Sequence, residues 1–390
     1  MKRVVSAMVL LGCGRTVSPT TADAGPSDSA VVRDAPPPAD APRPIVATPP
    51  RSRLGMAGSA PCVLRGNTVR CGGRVSIPGN EITLEGSITS LYCGVGYVAL
   101  RDDGRFWIWG NTEQALGFSS ATTQVNEPRL GNFENILSFD GNPIQLCVSS
   151  ARQTMCWGYA PIIPRIPRTL PGPVEVPFSV ETVHRVIGWQ HLCGLTAEGR
   201  VYCRGNNSIG QCAQPLSVET VTVPTEVSLP LPAVRLSVGA FRTCAILQDR
   251  SLYCWSSSSN ERRADGTLIE DTAPRLWQSL GEVVDVSSGI VTCAVKRDGT
   301  VWCWGARRYG HLGDAVNIEP PDLDLPNAYA LEPVQIEGIT DAIEVAHGGG
   351  GVSCALRRDN AVWCWGRDLN YQLPWPQGQP QRPREVLAPW

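Results

Sequence analysis

One pattern constrains this chain more than any other. The stretch Cys293-Ala-Val-Lys-Arg-Asp-Gly-Thr-Val-Trp-Cys-Trp-Gly305 places two cysteines ten positions apart, with an Asp-Gly between them and a Trp-Gly after them. It recurs from Cys193, Cys244 and Cys354, and in shorter form from Cys62 and Cys147. A cysteine-free copy runs from Val98 to Gly110. Seven copies therefore begin at residues 62, 98, 147, 193, 244, 293 and 354, separated by 36 to 61 residues. A unit repeated at such intervals cannot bury its apolar faces alone, so the copies must stack on one another.

Each copy reads as a β-hairpin, because apolar residues alternate on both sides of a turn signal. Pairing the two cysteine positions leaves three-residue loops at Asp102-Asp103-Gly104, Ala197-Glu198-Gly199, Gln248-Asp249-Arg250, Arg297-Asp298-Gly299 and Arg358-Asp359-Asn360. Such loops call for a left-handed last residue, which suits Gly and Asn and strains Arg250. The nine-spaced copy from Cys62 leaves Gly66-Asn67, a two-residue turn; the copy from Cys147 leaves Ala151-Arg152, which is poor turn chemistry and weakens the register there. Opposed residues of an antiparallel pair stand roughly 4.5–5.5 Å apart at Cα, within disulfide reach. In the cysteine-free copy Val98 and Ile108 replace both positions together, as two halves of one bond should. The expected disulfides are Cys62–Cys71, Cys147–Cys156, Cys193–Cys203, Cys244–Cys254, Cys293–Cys303 and Cys354–Cys364, with pairs of buried thiols as the alternative. Cys93 and Cys212 are left over; they either bond each other or remain buried thiols.

Fifteen cysteines in 390 residues suit an oxidising compartment. The start agrees: Lys2 and Arg3 precede a short apolar run, Val4 to Leu11, too short for a membrane span and suited to a secretion signal over residues 1–12. Leu10-Leu11-Gly12-Cys13 resembles the lipobox of bacterial lipoproteins. That resemblance implies that Cys13 is lipidated and anchors the protein, and Gly14 after it points to the outer membrane. Residues 13–54 are rich in Pro, Ala, Ser, Thr and Asp, as in "DAPPPADAPRP", and read as a disordered tether. Residues 55–390, through which the copies are spread, read as one domain.

The hairpins ending in Trp-Cys-Trp-Gly, with a Gly-rich approach, resemble the regulator of chromosome condensation repeat. The carrying residues are Ser237–Trp255, Ser287–Asp314 and Ala346–Leu373, with "GNNSIGQ" (Gly205 to Gln211) and "RYGHLGD" matching that family's Gly-Gln-Leu-Gly segment. The resemblance implies an all-β, seven-bladed β-propeller of antiparallel blades. Closing the ring is the demanding step, and the expectation is that Pro383–Trp390 adds a strand to the blade containing Cys62. The repeated Trp109, Trp157, Trp255, Trp304 and Trp365 are expected to pack between blades.

Catalytic chemistry is hard to find. His184, His191, His311 and His347 form no metal-binding pair and meet no nucleophile elbow, "GNNSIGQC" lacks the Lys of a phosphate loop, and "GGGG" at 348–351 approaches a strand, not a helix. No metal or other cofactor is expected. The formal net charge of −2, with scattered basic residues, speaks against nucleic acid as a partner.

These readings favour a monomeric, lipid-anchored binding scaffold at the bacterial envelope, contacting the membrane only through its N-terminus and presenting loops to another protein or an envelope polymer. The approach segments Gly94–Tyr97, Gly188–His191 and Gly239–Arg242 are expected on one face, with Tyr97, Trp189, His191, Phe241 and Arg242 as contact residues. The alternative is a lyase or hydrolase acting on polysaccharide or peptidoglycan, for which no acid–base pair is visible. Nucleotide exchange on a small GTPase, which the resemblance also implies, conflicts with the export signal.

Overall fold

The computed structural model describes residues 47, 51–73, 80–94, 96–111, 124–142, 145–158, 170–256, 272–307, 310–314, 329–348, 351–368, 373 and 381–388. Cys13, the signal segment and nearly all of the expected tether lie outside the described residues. Residues 44–390 cluster as one compact unit.

Seven four-stranded antiparallel sheets follow one another along the chain. Each is a meander in which sequence-adjacent strands pair, which makes each a propeller blade. The innermost strands are Leu54–Ala57, Ile88–Cys93, Ser138–Asn142, His184–Ile187, Ala233–Val238, Val283–Ser288 and Ala342–His347, in blades 1 to 7. The repeated hairpin supplies the second and third strands of every blade, with its cysteine pair in six of them. The meander therefore puts all hairpin loops on one face of the ring. The turns from innermost to second strand lie on the other, the turn face.

The expected register holds throughout. Cys62↔Cys71, Cys147↔Cys156, Cys193↔Cys203, Cys244↔Cys254, Cys293↔Cys303 and Cys354↔Cys364 stand opposite one another and are bonded, with Cα–Cα distances of 4.0–4.1 Å. Val98 faces Ile108 where blade 2 has no bond. The last loop residue is left-handed in all five three-residue loops: Gly104, Gly199, Arg250, Gly299 and Asn360. Arg250 accepts the strain at φ 68°. The unfavourable Ala151-Arg152 turn is held from outside, because Arg185 of the next blade donates from Nη2 to Ala151 O at 2.8 Å. Cys93 and Cys212 are both buried free thiols, so they do not bond each other.

The core lies between the blades. Trp109, Trp157, Trp255, Trp304 and Trp365 are at most 5% exposed, and each packs on the preceding blade. The Gly-Gln and Gly-His segments complete these contacts. Trp255 Nε1 donates to Gln211 O at 3.0 Å, and Trp365 Nε1 donates to His311 O at 2.9 Å. Each loop thus docks back onto the tryptophan of the following blade.

Ring closure corrects the expectation. Gln381–Leu387 is the outermost strand of blade 7, paired to Val362–Gly366, and adds no strand to the blade containing Cys62. Its contact with blade 1 is side-chain packing: Leu387 shares a core cluster with Leu54, Met56 and Val63. Every blade is complete from its own segment of chain, so no strand needs to be shared.

Candidate functional site

The turn face is built from close backbone contacts. A Cβ on Gly188 would stand 2.5 Å from Gly239 O, and one on Gly239 would stand 2.8 Å from Gly289 N. Gly348 meets Gly58 in the same way across the closure. Neighbouring turns therefore touch, and the residues that follow these glycines are carried side by side around the ring.

This arrangement sorts the expected contact residues. Trp189 is 51% exposed and Phe241 is 37% exposed, on the turns of blades 4 and 5. Ile290, on the touching turn of blade 6, is 41% exposed and continues the row. Sequence reasoning missed Ile290 because "SSGIVTC" carries no aromatic or charge to mark it; its position one residue after Gly289 was the available signal. The other three expected residues are buried. Tyr97 stacks on Trp109 with ring centroids 5.3 Å apart, and His191 Nε2 lies 2.9 Å from Thr243 Oγ1 of the next blade. Arg242 Nε donates to Ser256 O at 3.3 Å. These three hold the turns in place while Trp189 and Phe241 present surface.

Beneath the turns runs the central channel, a cavity of about 460 Å³ lined from all seven innermost strands. Its polar side chains follow a structural rule. Innermost strands of adjacent blades do not pair as a sheet, so their inward N–H groups need other acceptors. Side chains of the preceding blade supply them on two levels. On the hairpin-side level, Ser138 Oγ, Asp285 Oδ2 and Glu344 Oε2 accept from the N–H groups of Arg185, Val345 and Leu54, at 3.2, 2.9 and 3.0 Å. On the turn-side level, Asp140 Oδ2, Ser237 Oγ and Ser287 Oγ accept from Ile187, Ser288 and His347, at 2.7, 2.9 and 3.2 Å. Between blades 1 and 2 a backbone carbonyl takes over, as Leu91 N–H donates to Ser52 O at 2.8 Å.

Burial sets the charge states in this ring. It pushes the Asp140 carboxyl up to about 7, against the hydrogen bonds from Ile187 and Gly141. It pushes His184 and His191 down to about 3 and His347 down to about 4, so all three are neutral at pH 7; Arg235 beside His184 adds to its shift. Arg235 Nη2 lies 2.6 Å from Asp285 Oδ1. Asp140, Asp285 and Glu344 each have carboxylate oxygens engaged by backbone N–H donors, so they serve as inter-blade links. Among the described residues no cluster of three His, Cys, Asp or Glu side chains is placed to hold a metal ion. No helix among them is long and apolar enough to cross a membrane.

Fold and turn geometry define a seven-bladed propeller with an apolar row on one face. Comparison makes the class more specific. Residues 186–211 match the regulator of chromosome condensation (RCC1) repeat. The chain is 27% identical over 207 residues to the E3 ubiquitin-protein ligase HERC2 of Mus musculus, covering 50% of this chain and 4% of HERC2. It is 25% identical over 307 residues to the mitochondrial RCC1 domain-containing protein RUG3 of Arabidopsis thaliana, covering 73% of this chain and 66% of that protein. The matched region is thus less than two thirds of either relative. Among solved structures, human WBSCR16 superposes with a TM-score of 0.62 at 19% identity, covering 79% of this chain and 84% of that one. Yeast RCC1 (Prp20), bound to Kap60, gives 0.60 at 19% identity, with 78% and 76% covered. The chain is a seven-bladed β-propeller that is similar, over one repeat in sequence and over most of its length in fold, to RCC1 repeat proteins.

Proposed function

We propose that this protein is an extracytoplasmic, lipid-anchored scaffold of the bacterial envelope that binds another protein through the turn face of blades 4 to 6. The observation that carries this reading is the row of Trp189, Phe241 and Ile290. They are exposed apolar side chains on three touching turns, fixed from below by buried neighbours. Exposed apolar residues are ordinary one at a time, whereas a contiguous rigid row is the composition of an interface core. The partner's matching surface is apolar, since these turns expose no charged side chain at 188–190, 239–241 or 288–290.

The six disulfides support oxidising surroundings, and the lipobox-like setting of Cys13 supports the anchor. The structure of Prp20 bound to Kap60, and another described with its binding to Gsp1p and histones, are precedents for this propeller shape as a protein-binding surface. The precedent reaches no further than that.

The test is affinity capture from envelope extract with the oxidised chain, run in parallel with a Trp189→Ser/Phe241→Ser/Ile290→Ser variant and a hairpin-face control, Arg250→Ala. Proteins retained by wild type and control, and lost by the triple variant, support the reading. Equal retention by all three refutes it.

A further inference from the structure

At the hairpin-face end of the channel lies another hollow, of about 890 Å³. It shares Ser90, Leu100, Leu137 and Arg235 with the channel wall, so the two spaces adjoin. Its walls come from blades 2 and 3 and, across the axis, from blades 5 and 6. Cations mark this hollow. Four guanidiniums line it, those of Arg51, Arg101, Arg235 and Arg250, against the carboxylates of Asp102 and Asp103. Two of the four are tied down. Arg101 lies 2.8 Å from Asp103, which also takes Arg105 at 2.9 Å. Asp285 holds Arg235 through Nη2 at 2.6 Å. Among the described residues, the side chains of Arg51 and Arg250 make no hydrogen bond or ion pair, although both line the hollow. Arg51 is exposed and Arg250 half-buried, so both are open to a ligand.

Arg250 is also out of place in its own loop. The last residue of the other four three-residue loops is Gly104, Gly199, Gly299 or Asn360, types that take the left-handed conformation readily. Arg250 takes it at φ 68° with a Cβ to accommodate. A residue kept in a strained conformation points to a use for its side chain. We infer that the hollow is a binding site for the phosphate group of a small ligand, held by the guanidiniums of Arg51, Arg235 and Arg250. A carboxylate presents two oxygens in one plane and is satisfied by a single guanidinium. A phosphate presents oxygens in a tetrahedral array, which suits guanidiniums arriving from different parts of the ring. Arg235 is oriented by Asp285, while Arg51 and Arg250 bring the two unspent charges. Leu100, Ile136 and Val234 give the hollow an apolar side, with room for an organic body on the phosphate. The site lies on the opposite face from Trp189, Phe241 and Ile290 and does not depend on them.

Isothermal titration calorimetry on the full oxidised chain tests this with two probes, glucose 1-phosphate and inorganic phosphate. The site predicts saturable binding of a single equivalent, weakened roughly tenfold or more by Arg250→Gly and by Arg51→Gln. Arg152→Gln removes an exposed arginine from the hairpin loop of blade 3, outside the hollow, and leaves binding unchanged. Arg250→Gly installs the residue that blades 2, 4 and 6 carry at this position, so it should melt no lower than wild type, and its lost binding is not misfolding. Tighter binding of glucose 1-phosphate identifies the ligand as an organic phosphate, and equal affinity identifies it as free phosphate; either supports the site. Binding of neither probe would overturn the inference. So would equal binding by Arg250→Gly and wild type, or a lower melting temperature for Arg250→Gly, which would give the arginine a structural role instead.

Discussion

Glu344 and Leu54 lie 290 residues apart, and the 3.0 Å hydrogen bond from Leu54 N–H to Glu344 Oε2 joins the last blade to the first. The same oxygen accepts from Arg53 N–H at 2.8 Å. Burial raises the pKa of Glu344, with Asp285 nearby adding to the shift. A group kept at that cost is there for the closure. Glu344→Ala leaves two buried N–H groups without their acceptor and is expected to lower stability by about 2–3 kcal/mol. Glu344→Gln keeps an acceptor oxygen and should lose less than half of that. Urea denaturation of both variants checks the order.

Glycines of this chain differ in what an added methyl would meet. Gly239→Ala drives a methyl into the backbone of Gly289 and Ser288, 2.8 Å away, and should cost roughly 2–4 kcal/mol. Gly281→Ala meets nothing within 4 Å and should be neutral or stabilising by up to about 1 kcal/mol. Thermal melts of the two variants give the contrast directly.

Each hairpin disulfide closes a short loop, worth roughly 2–3 kcal/mol by restricting the unfolded chain. Replacing Cys293 and Cys303 with Val and Ile, the pair that blade 2 carries at Val98 and Ile108, keeps the site apolar and removes only the bond. The expected loss is about 2 kcal/mol with an unchanged fold, measured by denaturation and far-ultraviolet circular dichroism. Full reduction of all six bonds should abolish the cooperative transition.

Stability should depend on pH with two opposing contributions. His184, His191 and His347 are held down at about 3, 3 and 4, from an ordinary 6.5. Below pH 6.5 the unfolded chain gains protons that the folded chain refuses, so their contribution is lost as pH falls toward 4. Asp140 runs the other way. Its folded value of about 7 against an ordinary 3.8 makes the folded chain the better proton binder between those values, so its contribution falls as pH rises through 7. Three histidines outweigh one aspartate across the acid range, so stability should rise from pH 4 and level off above about pH 7. Asp140→Asn removes the opposing contribution and should steepen that rise, as read from denaturation midpoints between pH 4 and 8.

Much of this fold is legible in the sequence because each repeat declares itself locally. The cysteine register, the left-handed loop ends at Gly104 and Gly299 and the buried tryptophans all follow from residues within one hairpin. What escapes is what depends on neighbours around the ring. Nothing near Pro383 reveals that its strand stays in blade 7, since both placements bury the same apolar side chains. Tyr97, His191 and Arg242 share the turn segments with Trp189 and Phe241. Which of them are covered depends on contacts made in the folded ring: Trp109 stacks on Tyr97, Thr243 of the next blade meets His191, and Ser256 O takes the Arg242 Nε donor. Ile290 was invisible for the converse reason: an isoleucine beside a strand reads as core until the turn that carries it is seen to protrude. Ala47, buried among Val186, Leu195 and Leu236, lies in a Pro/Ala-rich run with no local pattern to mark that contact.

The central claim is that partners are held by the turn face of blades 4 to 6. It is tested most directly by placing a photo-crosslinking amino acid in turn at position 241 on the turn face and at position 250 on the hairpin face, then illuminating the oxidised protein in envelope extract. The account predicts a discrete crosslinked protein from position 241, absent from position 250 and lost when Trp189 and Ile290 are both changed to Ser. Crosslinking from position 250 alone, or from position 241 regardless of those substitutions, would contradict it.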